Sequence, residues 1–237
     1  RDQFKDFPGA YNGLQVQNRG RVHKVGAAVD ASLEAFQQAV AQGVDFLTVH
    51  HGLFWDPFVP ICGKNYEKIR LLIEHDCALY SSHLPLDAHP VWGNNAGLAA
   101  ALKLEGEGTF LPYEGMPIGM LAYGAGQLRK SLRDRLQEFF VRDGVRALEF
   151  GPERLGRIAI CSGTGSGALG QVKAAGADTF ITGELKQSDF AKVQEAGLNV
   201  YLCGHYATEV FGVQNLAQVL AAQMELPWVF LPSGCPL

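Results

Sequence analysis

The sequence lacks paired cysteines. Its 237 residues include five cysteines, an odd number, and no two of them stand in a CxxC spacing. This pattern excludes a disulfide framework and a zinc site built on thiolates. A bound metal would therefore have to be held by imidazoles and carboxylates, and seven histidines are present to supply the imidazoles.

Long apolar runs and clusters of basic charge are also missing. No stretch approaches the roughly 20 apolar residues of a membrane span, and residues 1–5 carry none of the apolar core of a signal peptide. We therefore expect a cytoplasmic protein that does not enter a membrane. The net charge is −4 and no run of Lys and Arg exceeds two residues, which argues against nucleic acid as a partner.

Hydrophobic residues make up 47% of the chain, enough to build a buried core. Their spacing predicts a strand over residues 22–29, a helix over 33–42 and a second strand over 44–49. A helix over 66–75 and a strand over 78–81 follow. Strands that alternate with helices in this way are typical of an α/β fold.

The same order of elements returns after residue 155. Adding 133 to the residue number takes Val25 to Ile158 without a gap in the aligned stretch. We interpret this pattern as an internal duplication, with halves at 22–105 and 156–225. In the second half we predict strands over 157–161, 177–182 and 200–203, and helices over 168–175, 189–196 and 214–224.

The stretch between the halves, residues 106–155, has weaker patterns. Residues 112–126 are rich in Gly and Pro, and after them the sequence predicts a charged helix over 128–142 and a strand over 146–150. The basic side chains of this helix are expected to form a solvated surface. They are Arg129, Lys130, Arg133 and Arg135.

Candidate ligands stand where predicted strands end. Ligands of parallel α/β sheets gather beyond the carboxyl ends of the strands, and adding 122 aligns a His-x-x-x-Asp in one half with a His-x-x-x-Glu in the other. Imidazoles and carboxylates in this number suit Zn, Mn, Fe, Co or Ni, and exceed what one tetrahedral ion needs. We therefore expect two divalent ions, as in metal-assisted hydrolases. The strand-end residues are His50, His51, His83, Asp87, His205 and Glu209.

A glycine-rich run, Ser162–Gly167, lies between a predicted strand and a predicted helix. It formally contains a GxGxxG match, but no Walker lysine follows, and Glu184 only loosely fits the acidic residue of a dinucleotide site. We interpret the run as a tight turn. Contact of its backbone N–H groups with a phosphate is a hypothesis left open here.

Several motifs, taken together and in this order, resemble the Nif-three-like family. That family is named for Ngg-one interacting factor three and is also labelled type 2 GTP cyclohydrolase I homologue. The motifs are Tyr11–Val16 (YNGLQV), Thr48–Phe54 (TVHHGLF), Ser82–Asp87 (SHLPLD), Ser162–Gly165 (SGTG), Ile181–Glu184 (ITGE) and Cys203–Glu209 (CGHYATE).

The resemblance implies two intertwined, internally duplicated α/β lobes with a dinuclear metal site between them, and a ring-shaped homohexamer. For this chain we expect a first lobe over residues 1–112 and 203–237 and a second over 113–202. By the same resemblance the metal ligands are His50, His51, Asp87, His205 and Glu209.

Two further residues match positions near the metals in that family. The resemblance implies that His83 is a proton donor or acceptor, or a hydrogen-bond partner of a ligand. It also implies that Glu184 is an acidic group facing the internal cavity of the ring-shaped hexamer. Family members often carry histidines shortly after the TGE turn, whereas Lys186, Gln187 and Ser188 follow here. This departure removes one candidate proton donor.

The favoured hypothesis is a metal-dependent hydrolase acting on a nucleotide-like small molecule, of the GTP cyclohydrolase type if the family label holds. The alternative is a metal-binding or metal-delivery protein without turnover, because that role needs the same ligands. A regulatory ring that binds single-stranded DNA is a third hypothesis, which the net charge disfavours.

Overall fold

A computed structural model describes residues 5–55, 57, 59–141 and 144–236. The chain forms two compact units, and each unit has its own sheet. The first unit consists of the described residues up to Leu86 together with Gly212–Gly234, and the second of Asp87–Phe211 with the last described residues, 235–236. Among the residues that the structure describes, no helix is long and apolar enough to cross a membrane.

The strands and helices are numbered in chain order. The strands are β1 (Gly13–Val16), β2 (Val25–Asp30), β3 (Phe46–His51), β4 (Ala78–Ser81), β5 (Glu105–Tyr113), β6 (Met116–Tyr123), β7 (Arg146–Glu149), β8 (Arg157–Thr164), β9 (Thr179–Glu184), β10 (Asn199–Leu202) and β11 (Trp228–Phe230). The helices are α1 (Leu33–Ala41), α2 (Gly63–Glu74), α3 (Leu84–Ala88), α4 (Asn94–Ala101), α5 (Arg129–Phe139), α6 (Leu169–Ala174), α7 (Phe190–Ala196), α8 (His205–Thr208) and α9 (Val210–Met224).

The sheet of the first unit has the order β1-β4-β3-β2-β11. Strands β2, β3 and β4 run parallel in its centre, β1 joins the β4 edge antiparallel and β11 joins the β2 edge in parallel. The central strands are almost wholly buried, which is typical of parallel strands covered on both faces. The core of this unit includes Phe36, Leu47, Leu72 and Leu79.

The sheet of the second unit has the order β5-β6-β8-β9-β10-β7. Strands β8, β9 and β10 are parallel, while the β5–β6 hairpin and β7 flank them antiparallel. Alternate residues of the parallel strands enter two separate clusters, so both faces of this sheet are packed. Ile158 and Ile181 belong to one cluster, and Ala159 and Phe180 to the other.

The pairing registers of the two sheets support the predicted duplication. Val25 pairs with Phe46 in the first sheet, and Ile158 pairs with Thr179 in the second. Each residue of the second pair therefore stands 133 positions after its counterpart in the first pair. The next parallel strands, β4 and β10, are offset by 121 instead. Ala78 pairs with Phe46, and Asn199 pairs with Thr179, so Ala78 and Asn199 are equivalent. One extra residue therefore separates the third strand from its histidine in the second half.

Two elements of the second unit differ from the sequence predictions. Strand β8 continues through Thr164, so the first half of the predicted glycine-rich turn is strand. Residues 112–126, for which no strand was predicted, lie mostly in the β5–β6 hairpin, which turns at Glu114 and Gly115 with φ of 48° and 87°. The predicted helix over 128–142 is observed as α5, and Arg142 lies outside the described residues.

The unit boundaries also differ from the expected lobe boundaries. The chain changes unit after Leu86 and after Phe211, whereas the sequence analysis placed the changes after residues 112 and 202. The reason is that α4 packs on β8, and β5 pairs with β6. Residues 87–112 are thereby tied to the second sheet.

The thiols provide a test of this packing. Burial raises the pKa of Cys77 and of Cys203 to about 12, whereas Cys62 is exposed. We expect Ellman's reagent to modify Cys62 rapidly in the native protein and the buried Cys77, Cys161 and Cys203 only after denaturation, because the thiolate is the reactive form. Cys62→Ser should remove the fast phase in a Cys235→Ser background, because Cys235 is only partly buried. Native modification of Cys77 or Cys203 at the rate of Cys62 would contradict the fold.

Candidate metal centre

Two adjacent histidines end strand β3. Successive side chains of a regular strand point to opposite faces, yet the ring centroids of His50 and His51 lie only 4.7 Å apart. The restriction relaxes here because the strand ends at His51. His50 is fully buried, and His51 is partly exposed.

Three histidines of the first unit, His50, His51 and His83, are held through their Nδ1 atoms. Nδ1 of His50 lies 3.0 Å from the carbonyl oxygen of Ser82, and Nδ1 of His51 lies 2.8 Å from Oδ1 of Asp30. Nδ1 of His83 lies 2.8 Å from Oδ1 of Asp6. All three partners are acceptors, so each neutral ring donates from Nδ1 and carries its lone pair on Nε2. Histidines that bind metals are commonly oriented in this way.

The three rings come together. The centroid of the His83 ring lies 4.9 Å from that of His50 and 5.6 Å from that of His51. One ring nitrogen of each histidine lies within 4.8 Å of one in each of the others. His83, predicted to transfer protons or to support a ligand, lies beside both predicted ligands of this unit.

A segment near the start of the chain fixes the turn that carries His83. Oδ2 of Asp6 accepts from the N–H of Leu84 at 3.0 Å and from Nδ2 of Asn12 at 2.8 Å. Oδ1 of Asn12 accepts from the N–H of His83 at 2.7 Å. The Asp6 side chain is only 3% exposed, so these bonds are shielded from water.

The same segment fixes the turn that follows His51. Oε1 of Gln15 accepts from the N–H of Leu53 at 2.7 Å. A Cβ atom at Gly52 would overlap the Gln15 amide, which explains the glycine in the HHGLF motif. Nε1 of Trp55 donates to the carbonyl of Gly52 at 2.8 Å. The YNGLQV motif therefore supports both histidine-bearing turns.

In the second unit His205 lies between two carboxylates. It begins α8, directly after Gly204, whose φ is 93°. Its Nδ1 lies 2.9 Å from Oε1 of Glu184, and its Nε2 lies 3.2 Å from Oε1 of Glu209. The hydrogen bond with Glu209 raises the pKa of the His205 imidazole to about 9. The carboxylates thus favour a positive charge at this position.

Glycines allow the backbone to approach this histidine closely. A Cβ atom at Gly163, where φ is 64°, would overlap Oε1 of Glu209 and lie 3.1 Å from Nε2 of His205. The N–H of Gly163 donates to Oγ1 of Thr208 at 2.9 Å, and the N–H of Gly165 donates to a carbonyl at 3.0 Å. Because these N–H groups are used internally, the structure gives no support to the phosphate hypothesis for this run.

Asp87 is buried beside β8. Its Oδ1 accepts from Nδ2 of Asn94 at 2.8 Å and from Oγ of Ser162 at 2.9 Å. Burial raises the pKa of the neighbouring Cys161 thiol, and the charges of Asp87 and Glu209 raise it further. The candidate ligands of the second unit thus include two buried carboxylates, Asp87 and Glu209, besides His205.

The residues present fit a divalent metal. The structure brings His50, His51 and His83 together in one unit, and His205, Glu184 and Glu209 in the other. Their nitrogen and oxygen donors are those that borderline divalent ions prefer. The roles of the residues that orient them were not predicted from the sequence. Asp30 gave a local signal, since it ends β2 opposite His51, and Asn12, Gln15 and Ser162 lie within the family motifs. The orienting residues are Asp6, Asn12, Gln15, Asp30, Asn94 and Ser162.

Comparison with known proteins identifies the family. Residues 8–236 match the family model described as Duf34/NIF3 (NGG1p interacting factor 3). The chain belongs to the Duf34/NIF3 family. A relative from Deinococcus radiodurans, named GTP cyclohydrolase 1 type 2 homolog, is 40% identical over 235 residues, which cover 94% of this chain and 86% of the relative. The family prediction made from the sequence motifs is thereby confirmed.

Solved structures of similar proteins share the fold. The protein TTHA1606 from Thermus thermophilus superposes with a TM-score of 0.83 at 40% identity, covering 95% of this chain and 90% of its own. The protein ybgI, described as of unknown function, superposes with a TM-score of 0.87 at 33% identity. The superposition covers 99% of this chain and 93% of ybgI. The predicted α/β fold is confirmed as that of the Duf34/NIF3 family.

Replacement of Asp6 tests the orientation of His83. Asp6→Ala should lower the free energy of unfolding by about 1–3 kcal/mol, because it leaves buried donors without an acceptor. In ¹⁵N spectra of the imidazoles the His83 ring should lose its fixed Nδ1–H form while His51 keeps its own. Asp30→Ala is the matched control and should affect His51 alone. Equal spectra for the His83 ring in wild type and Asp6→Ala would contradict this account.

Proposed function

We propose that the protein binds two divalent metal ions and hydrolyses a nucleotide-like small molecule. The proposed ligands are His50, His51, Asp87, His205 and Glu209, and the ions are drawn from Zn, Fe, Mn, Co and Ni. The observation that carries the proposal is that every histidine in this set has its Nδ1 atom hydrogen bonded to an acceptor of its own unit.

The donor set agrees with the proposed chemistry. Neutral imidazoles and carboxylates hold divalent ions firmly and leave room for a substrate, in contrast to four-thiolate sites. Such ions, when bound, supply Lewis acidity toward a substrate oxygen. The buried cysteines carry protonated thiols and take no part in the set.

His83 and Glu184 have different roles in this proposal. His83 donates from Nδ1 to Asp6, so its Nε2 is the atom that accepts a proton from water or substrate and returns it later. Glu184 accepts from Nδ1 of His205 and orients that ring. The Glu184 side chain is 53% exposed, so it can also exchange protons with solvent.

The nature of the substrate is suggested by the relatives. Several carry the name GTP cyclohydrolase 1 type 2 homolog. For this chain the corresponding reaction would be opening of the GTP imidazole ring with loss of formate. We also propose the homohexamer that the sequence resemblance implies, which light scattering can test.

Metal binding or delivery without turnover is the second candidate. It is favoured by Lys186, Gln187 and Ser188, which stand where family members often have histidines, so one source of protons is missing. Binding of single-stranded DNA gains no support from helix α5. Its basic side chains are engaged within the second unit, since Arg133 pairs with Glu149 at 2.8 Å and Lys130 with Asp134 at 2.5 Å.

Metal content tests the ligand assignment. Purified protein should hold close to two divalent ions per chain by elemental analysis. His51→Ala and Glu209→Gln should each sharply reduce that content, because each removes a ligand. His75→Ala, a histidine outside the candidate centre, is the matched control and should bind metal like the wild type. A metal content of two ions per chain in both ligand variants would contradict the ligand assignment.

A substrate screen separates the two candidate functions. Metal-reconstituted protein should release formate, phosphate or free base from at least one member of a nucleotide panel. His83→Ala should keep its metal and lose about 10²- to 10⁴-fold in rate, as expected when a proton-transfer group is removed. No release across the panel, together with transfer of metal to an acceptor protein, would favour metal delivery.

A further inference from the structure

Two aromatic side chains contact the ring of His83. The ring centroids of Trp55 and His83 lie 4.9 Å apart with an interplanar angle of 80°, and those of Phe7 and His83 lie 5.6 Å apart with an angle of 45°. The ring of Trp55 also lies 6.1 Å from that of His51. All four residues belong to the first unit. Aromatic rings therefore adjoin both a proposed metal ligand and the group proposed to transfer protons.

Hydrogen bonds hold both aromatic residues in place. Nε1 of Trp55 donates to the carbonyl of Gly52 at 2.8 Å, which fixes the plane of the indole. The N–H of Phe7 donates to Oδ1 of Asp6 at 2.6 Å, and the same oxygen lies 2.8 Å from Nδ1 of His83. One carboxylate oxygen thus fixes the Phe7 backbone and the His83 ring together. The two aromatic rings are therefore preorganised beside the imidazole.

Contact with His83 leaves part of each aromatic ring accessible to solvent. Phe7 is 43% exposed and Trp55 is partly buried, whereas the side chain of His83 is only 11% exposed. A single exposed phenylalanine is ordinary on a protein surface. Phe7 differs because it stands against the group proposed to transfer protons.

The position of these rings determines what a substrate of His83 contacts. A group that exchanges a proton with Nε2 of His83 lies within about 3 Å of that atom. The ring centroids of Phe7 and Trp55 lie only 5.6 and 4.9 Å from that of His83, so a nucleotide-sized substrate bound there touches at least one of them. Phe7 has no side-chain donor for a phosphate, and the single indole N–H of Trp55 is donated to Gly52. Aromatic faces do stack favourably on nucleobases.

We infer that Phe7 and Trp55 receive the planar heteroaromatic ring of the substrate, which is the purine in the case of GTP. The inference rests on the proposed function and deepens it, because it assigns the ring portion of the substrate to the first unit, beside His83. The two residues act as substrate contacts and supply no metal ligand. The competing role is that their rings only hold the His83 imidazole in position.

Indole N–H signals test the contact directly, because the chain has only Trp55, Trp92 and Trp228. Titration of zinc-loaded, ¹⁵N-labelled protein with guanosine should shift the Trp55 signal in a saturable way, through the ring current of the base. The other two signals should stay unshifted. Ribose 5-phosphate, which lacks the base, should shift none of the three. The inference is overturned if guanosine leaves Trp55 unshifted or if ribose 5-phosphate shifts it equally.

Substitution of Phe7 gives a second measurement. Phe7→Ala should weaken guanosine binding about 5- to 150-fold, the range expected when one base–aromatic stack is lost. Phe7→Tyr keeps the ring and should bind guanosine like the wild type. Phe150→Ala is the matched control, since Phe150 is 39% exposed and packs edge-on against Phe190 in the second unit. Unchanged guanosine affinity in Phe7→Ala contradicts the contact.

Kinetics with GTP separate a substrate contact from a residue that only positions His83. Phe7→Ala should raise KM and retain kcat, because it removes binding that the ground state and the transition state share. Asp6 still holds Nδ1 of His83 in this variant, so the ¹⁵N signals of that imidazole should keep the Nδ1–H form. A fall in kcat at unchanged KM would establish the positioning role and overturn the inference.

Metal content and guanosine binding together distinguish failure of this inference from failure of the proposed function. If elemental analysis finds no bound metal while guanosine shifts Trp55, and Phe7→Ala weakens that binding, the ring site stands and the metal-dependent hydrolase fails. If metal is bound and GTP is converted while guanosine leaves Trp55 unshifted, the ring site fails and the proposed function stands.

Discussion

The anchoring of imidazole rings through Nδ1 is the constraint on which the candidate centre depends. A histidine presents its Nε2 lone pair in a fixed direction only when an acceptor holds the opposite nitrogen. Each acceptor comes from a different part of its unit, so the strands, turns and starting segment must all be in place before the rings are oriented. The acceptors are the carbonyl of Ser82 and the carboxylates of Asp30, Asp6 and Glu184.

This constraint explains which parts of the site could be predicted from the sequence. Parallel strands buried on both faces give continuous apolar runs, so β3 and the positions of His50 and His51 could be predicted from local pattern. Asp6 could not be found in that way, because it meets His83 across 77 residues of chain. Its neighbours in sequence contain no pattern that indicates such a contact.

The β5–β6 hairpin was missed for a related reason. Its strands contain several glycines and Pro112, which weaken any strand signal, and its turn uses Glu114 and Gly115 rather than the more common Asn-Gly. Two of these glycines are required by close packing, because a Cβ atom at Gly119 would overlap the Phe110 ring and one at Gly106 would overlap the Met120 methyl group. The glycines that weakened the strand signal are thus the residues that let the hairpin side chains pack.

Gly204 places the histidine of the second half one residue later, relative to its strand, than His83 stands in the first half. His51 of the first half corresponds, by the offset of 133, to Glu184 of the second half. His83 therefore lies beside an imidazole, whereas His205 lies beside a carboxylate. A repeat that is symmetric in its strands thus has two chemically distinct halves, because different residues end the equivalent strands.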